Sequence, residues 1–156
     1  MRRITVATAV GVAQFGRPRA TVETLASTTA VAAGGTARLA LKVTLPEGVH
    51  VQSDAPRDPS VIPTVLTVNA PAGVEVHEIV FPVASRFRVV GIDEPLDVFE
   101  HEFYVGVDVA IGTGVTPGPL TIPASLRYQA CNDQLCFPPT TADVSWSLTT
   151  VAAGTP

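Results

Sequence analysis

From Thr36 onward apolar and polar positions alternate with a period of two, Leu39, Leu41, Val43 and Leu45 being interleaved with Arg38, Ala40, Lys42 and Thr44. Successive strand side chains point to opposite faces, so the pattern predicts a strand with one buried face. Pro46-Glu47-Gly48 ends it, and the proline-bearing stretch from His50 to Pro63 reads as a long surface loop. Strand pattern resumes over Thr64 to Val68, breaks at Asn69-Ala70-Pro71-Ala72-Gly73 and returns from Val74 to Phe81. Arg86 to Val90 predicts another short strand ending near Gly91. Val105, Val107, Val109 and Ile111 then alternate with Gly106, Asp108 and Ala110, and Gly112 to Pro119 forms a turn region. Leu120, Ile122, Ala124, Leu126 and Tyr128 share the next apolar face; Pro123, on the other face, cannot donate to a ladder and predicts an edge strand or a bulge. Val144, Trp146 and Leu148 form the last apolar face, with Trp146 a core residue.

No helical period is present, and 12 Gly and 14 Pro punctuate the chain. Seven to nine short strands with turns at this spacing predict an all-β fold, an immunoglobulin-like antiparallel β-sandwich. A length of 156 residues with 46% hydrophobic content suffices for one domain whose core does not need the cysteines to fold. Charged residues make up only 15% and Lys occurs once, at Lys42, a surface typical of an extracytoplasmic β protein. A net charge of −4 without a basic cluster argues against a nucleic-acid partner. No apolar run reaches the ~18 to 20 residues that span a bilayer, so no direct membrane span is predicted in this chain. Met1-Arg2-Arg3 followed by Ile4 to Ala13 has the basic head and short apolar stretch of an export signal, although Ile4, Val6, Val10 and Val12 also fit a strand. The expected organisation is a signal remnant or disordered tail over residues 1–19, one domain over 20–151, and a C-terminal tail over 152–156.

The candidate chemistry lies in Cys131 and Cys136, the only cysteines, with four residues between them. Extended apolar segments flanking a short polar loop place the two thiols on neighbouring strands of a hairpin. Facing strand residues have Cα atoms about 4.5 to 5.5 Å apart, within reach of a disulfide. So short a loop removes little unfolded-chain entropy when closed, which favours a redox pair over a structural staple. If the even positions of Leu120 to Tyr128 face the core, Cys131 points outward, where a partner reaches it. Asn132, Asp133 and Gln134 offer no cationic neighbour, and Asp133 would raise a nearby thiol pKa, so neither cysteine is expected to be strongly acidic. A structural or adhesive sandwich module pinned by a hairpin disulfide stays open, as does a metal module using His101 with the cysteines, although the spacing is not that of a zinc knuckle. His50 reads as a loop residue and His77 as part of a polar strand face, neither with a ligand partner at recognisable spacing. No hydrolase arrangement can be picked out.

Tyr128-Gln129-Ala130-Cys131, the short loop, then Cys136-Phe137-Pro138-Pro139 resemble the N-terminal periplasmic domain of the thiol:disulfide interchange protein DsbD. Two further blocks, Leu45-Pro46-Glu47-Gly48-Val49-His50-Val51 and Phe99-Glu100-His101-Glu102-Phe103-Tyr104, support it in the family's order. The resemblance implies an immunoglobulin-like domain, periplasmic or otherwise extracytoplasmic, that needs no cofactor. It would carry electrons from a thioredoxin-like donor to extracytoplasmic disulfide oxidoreductase acceptors such as disulfide isomerases or cytochrome maturation factors. It implies that Cys136 exchanges with the partner while Cys131 resolves, and that Phe103 and Tyr104 cap the sulfurs, the alternative for this aromatic pair being ordinary strand packing. Glu100, His101 and Glu102 are candidates for relaying protons or else solvated surface residues; Phe137 would support the hairpin, and Tyr128 either supports it through its hydroxyl or is a core tyrosine at a strand end. The sequence holds neither a transmembrane conduit nor a thioredoxin-like domain, so a separate donor is expected.

Overall fold

In the longest strands burial follows the two-residue period. Ala37, Leu39, Leu41 and Val43 are buried along one strand, and Phe103, Val105, Val107, Val109 and Ile111 along another. The computed structural model describes residues 17–154; the export-signal stretch inferred at the N-terminus lies outside them. In chain order the strands are β1 (Thr21–Ala26), β2 (Ala30–Ala32), β3 (Thr36–Thr44), β4 (His50–Gln52), β5 (Val65–Val68), β6 (Val74–Val80), β7 (Ser85–Phe87), β8 (Leu96–Glu100), β9 (Glu102–Ile111), β10 (Gly118–Tyr128), β11 (Ala130–Cys131) and β12 (Thr140–Val151). No helix occurs among the described residues. Twelve strands exceed the seven to nine expected, because four of them are only two or three residues long and leave too little sequence to show a period.

Two four-stranded sheets, β1-β3-β9-β6 and β2-β12-β10-β5, make the immunoglobulin-like sandwich. All pairs are antiparallel except β2 with β12. Leu41, Val43, Val105 and Val107 from the first sheet share one core with Ile122, Leu126, Trp146 and Leu148 from the second. Trp146, 1% exposed, ties the sheets together: its indole N–H is shared between the carbonyls of Leu25 and Ala40, each 3.1 Å away. A buried indole needs such an acceptor for its polar edge.

Pro123 does not make β10 an edge strand. β10 is interior and runs in unbroken register with β12, Pro123 facing Ser145. The proline carbonyl accepts from Asn69 N–H at 2.8 Å on the β5 side, so its missing N–H falls on that side too. Pairing with β5 runs only from Ala124 to Arg127 and stops where the donor is absent.

A third sheet, β11-β4-β8-β7, grows from one end of the sandwich. β4 follows the end of β3, β8 precedes the start of β9, and β11 follows the end of β10. Two corners set this up. Gly48 takes φ +78 in the β3–β4 turn, a region open to glycine at little cost. His101 takes φ 59 between β8 and β9, and its carbonyl accepts from Leu45 N–H at 2.7 Å. Two expectations are corrected here. The segment expected to be a loop from His50 begins as β4, whose three residues are all buried. The strand expected at Arg86 to Val90 lies earlier, at Ser85–Phe87, and Val90 is fully exposed. In both places the strand is too short for alternation to register, and flanking prolines and polar side chains hide it.

Candidate redox-active site

β10 runs through Tyr128 into β11, and the chain turns back at once, so Cys131 and Cys136 face each other as an antiparallel bridge and form a disulfide. Phe137 N–H donates to the Ala130 carbonyl and Asn132 N–H to the Leu135 carbonyl, both at 2.9 Å, which leaves the cysteines as the pair between hydrogen-bonded positions. Such pairs approach most closely. Their Cα atoms are 4.0 Å apart, nearer than the sequence suggested, because the turn closes immediately beyond them. Asn132 builds that turn: its side-chain oxygen accepts from Gln134 and Leu135 N–H, each at 2.8 Å. Gln129 closes the other side, donating from Nε2 to the Phe137 carbonyl at 3.1 Å.

The two sulfurs sit in unlike surroundings. Cys131 is 1% exposed, whereas Cys136 is exposed. Cys131 does point away from the sandwich core, as the parity of β10 predicts, but the access expected for a partner is corrected: Ala130 and Cys131 are both buried, because β11 leaves the sandwich sheet and pairs with β4. Ala130 faces Val51, which faces Phe99, and all three belong to the core. One residue on, Cys131 faces His50, which faces Glu100. Directly opposed residues share a face, so Cys131, His50 and Glu100 form a row across three strands on the side away from the core. The same register puts a histidine, His50, opposite Cys131, a neighbour that lies outside the loop residues Asn132 to Gln134.

His50 is 4% exposed, and its ring lies 4.3 Å from that of Phe87. Burial pushes its pKa down from the usual 6.5, while the Glu100 carboxylate opposes this. A groove of about 280 Å³ runs beside the row, lined by His50, Phe87, Glu100, His101 and Asp133, among others. A larger cavity of about 410 Å³ lies away from the cysteines, beneath the loop after β4 and the β7–β8 turn. Across it Asp97 of β8 accepts from Arg57 at 3.1 Å and meets Arg86 at 3.4 Å, fastening the loop after β4 to β8.

Other residues singled out in the sequence are dispersed. Phe103 and Tyr104 lie inside β9 rather than in a loop. Alternation sends Phe103 into the core, its ring 4.6 Å from Phe99, and leaves Tyr104 on the exposed face, where its register partner is Lys42. Glu102 pairs with Lys42 at 3.4 Å and raises the lysine pKa. Tyr128 is a buried core residue at the end of β10, and its hydroxyl accepts from Ala20 N–H at 2.9 Å, so it pins the segment before β1. Phe137 is half-buried beside the turn. Among the described residues no three His, Cys, Asp or Glu side chains converge as a metal-ligand set, and no helix is long and apolar enough to cross a membrane. Sequence reasoning missed the placement of His50 and the role of Gln129. The signal for Gln129 was its position in the Tyr-Gln-x-Cys block; the pairing of His50 with Cys131 depends on a two-residue strand.

The sequence profile of the family described as the N-terminal part of the thiol:disulfide interchange protein DsbD matches residues 20–147. The chain belongs to this family. No curated protein sequence matches it comparably. Among solved structures, the N-terminal periplasmic domain of ScsB from Proteus mirabilis is similar at 18% identity and TM-score 0.55, over 83% of this chain and 45% of that one. The reduced N-terminal domain of DsbD from Neisseria meningitidis is similar at 18% identity and TM-score 0.51, over 82% of this chain and 85% of that one. This chain thus spans less than half the length of the ScsB structure. At these identities the likeness establishes the fold, and the family match joins it to a cysteine pair held as a disulfide.

Proposed function

We propose that the domain relays reducing equivalents by thiol–disulfide exchange through Cys131 and Cys136, in an extracytoplasmic compartment. The carrying observation is a hairpin disulfide with one exposed and one buried cysteine. An incoming thiolate attacks a sulfur in line, through a mixed disulfide that the second thiol resolves. The exposed Cys136 exchanges with the partner and the buried Cys131 is the resolving or leaving sulfur. A thioredoxin-like protein serves as donor and extracytoplasmic disulfide oxidoreductases as acceptors. The periplasmic origin of the ScsB domain supports the compartment. Phe87 of the β7–β8 hairpin lines the groove beside His50 together with Asp133 of the turn.

The deciding experiment is the equilibrium reduction potential of the pair in glutathione or dithiothreitol buffers, with thiols counted by mass spectrometry. A reversible value between about −180 and −270 mV, the span of thiol oxidoreductases, is expected. A value below about −300 mV would instead make the bond a structural staple.

A further inference from the structure

Cys131 poses a proton problem that Cys136 does not. At 1% exposure it has almost no contact with bulk water, yet in exchange it alternates among thiol, thiolate and disulfide sulfur. A thiolate in a dry site is costly unless a proton donor or cation stands beside it. The residue directly opposite Cys131 in the β4–β11 pairing is His50, and facing residues on one sheet face have Cβ atoms about 4.5 to 5.5 Å apart. Beyond His50, Glu100 continues the row, and both residues line the groove.

We propose that His50 is the proton-relay residue for Cys131, taking the thiol proton as the disulfide closes and returning it as the disulfide opens. The inference rests on the exchange reading above. In the closing direction the Cys136 thiolate attacks one sulfur of a partner disulfide; a Cys136–partner bond forms, the partner's own S–S bond breaks, and its other sulfur leaves as a thiolate. His50 then accepts the Cys131 proton. The Cys131 thiolate attacks Cys136 Sγ, forming the intramolecular disulfide and releasing the partner's remaining sulfur as a thiolate. Two electrons pass to the partner, two cysteine sulfurs are oxidised, and His50 discharges its proton to groove water or to the departing thiolate. Opening runs the same steps backwards, the imidazolium protonating Cys131 as it leaves.

The surroundings of His50 suit this task. Burial favours the neutral ring, which acts as a base near neutral pH, and Glu100 from β8 opposes that effect, keeping protonation within reach. The other ionisable groups at this groove are His101 from the β8–β9 corner and Asp133 from the active turn; β7 contributes the uncharged Phe87 ring, which holds the imidazole from the side.

The test is single-turnover oxidation of the reduced protein by oxidised glutathione, acid-quenched and followed by mass spectrometry across pH 5 to 9. Formation of the Cys136–glutathione mixed disulfide depends on glutathione concentration; its resolution by Cys131 does not. For His50→Gln, resolution near pH 7 is expected to slow about tenfold or more, with loss of the histidine inflection in its pH profile and little change in the first step. For Glu100→Gln, the inflection moves to lower pH, a shift that a merely structural role for the row would not produce. Wild-type resolution kinetics in His50→Gln would overturn the relay. If His50→Gln does not fold, an unmoved inflection in Glu100→Gln overturns it equally. Failure of the wild-type protein to form any mixed disulfide on Cys136 would overturn the exchange reading itself, and the relay with it.

Discussion

Cys131 and Cys136 have the same chemistry and unequal access, one 1% exposed and the other exposed. Reactivity follows thiolate character and access together, so after mild reduction iodoacetamide is expected to label Cys136 well before Cys131, as peptide mass spectrometry would show. Cys131→Ser should accumulate a mixed disulfide with a thioredoxin-like partner, and Cys136→Ser should form none; equal trapping by the two variants would remove the assigned roles. His50 makes a separate prediction about stability. Its folded-state pKa lies below the unfolded value of 6.5, so below about that pH the unfolded chain binds the extra proton more readily. Stability is unaffected by this residue above that range and falls as the pH drops through it. Urea midpoints at pH 5 and 7.5 should differ more in the wild-type protein than in His50→Gln.

Two short elements hold the site. In the active turn, Asn132 accepts two backbone N–H groups, and Asn132→Ala leaves both without that partner. A loss of about 1 kcal/mol in denaturant unfolding is expected, with Asn132→Asp, which keeps the acceptor, close to wild type. At the β8–β9 corner His101 holds φ 59, where β-branched side chains clash with the backbone. His101→Val should therefore cost about 1 to 2 kcal/mol while His101→Gly is tolerated. Neither element shows in the periodicity of the sequence. Asn132 stands out only once the chain is known to turn there, and the backbone conformation of His101 arises because β8 and β9 belong to different sheets.

The fold as a whole rests on the sandwich core more than on the disulfide. The loop closed by Cys131 and Cys136 spans a sequence separation of 5. By the chain-entropy relation a loop this small contributes only about 2 kcal/mol. Replacing both cysteines by Ala should lower Tm by about 4 to 8 °C and leave the fold intact. Leu41, fully buried between the sheets, is expected to cost about 2 to 5 kcal/mol when cut to Ala, more than loss of the disulfide. Calorimetry on both variants makes the comparison, and the reverse order would return the cysteines to a structural role.

The long strands were legible because burial of one face repeats every second residue, and β3, β9, β10 and β12 carry that repeat for nine to twelve residues. The cysteine motif was legible because its hairpin is local, with the bridge, the turn and the Gln129 bond all between Gln129 and Phe137. What tertiary structure alone decided is the third sheet. Its strands come from three separated parts of the chain, β4, the β7–β8 hairpin and β11, and are two to five residues long. Such segments are held by partners distant in sequence, and no local pattern announces them. That sheet is what buries Cys131, sets His50 opposite it and puts Glu100 behind, so the amino-acid sequence by itself determined which two residues pair as a disulfide, and long-range register determined what stands beside them.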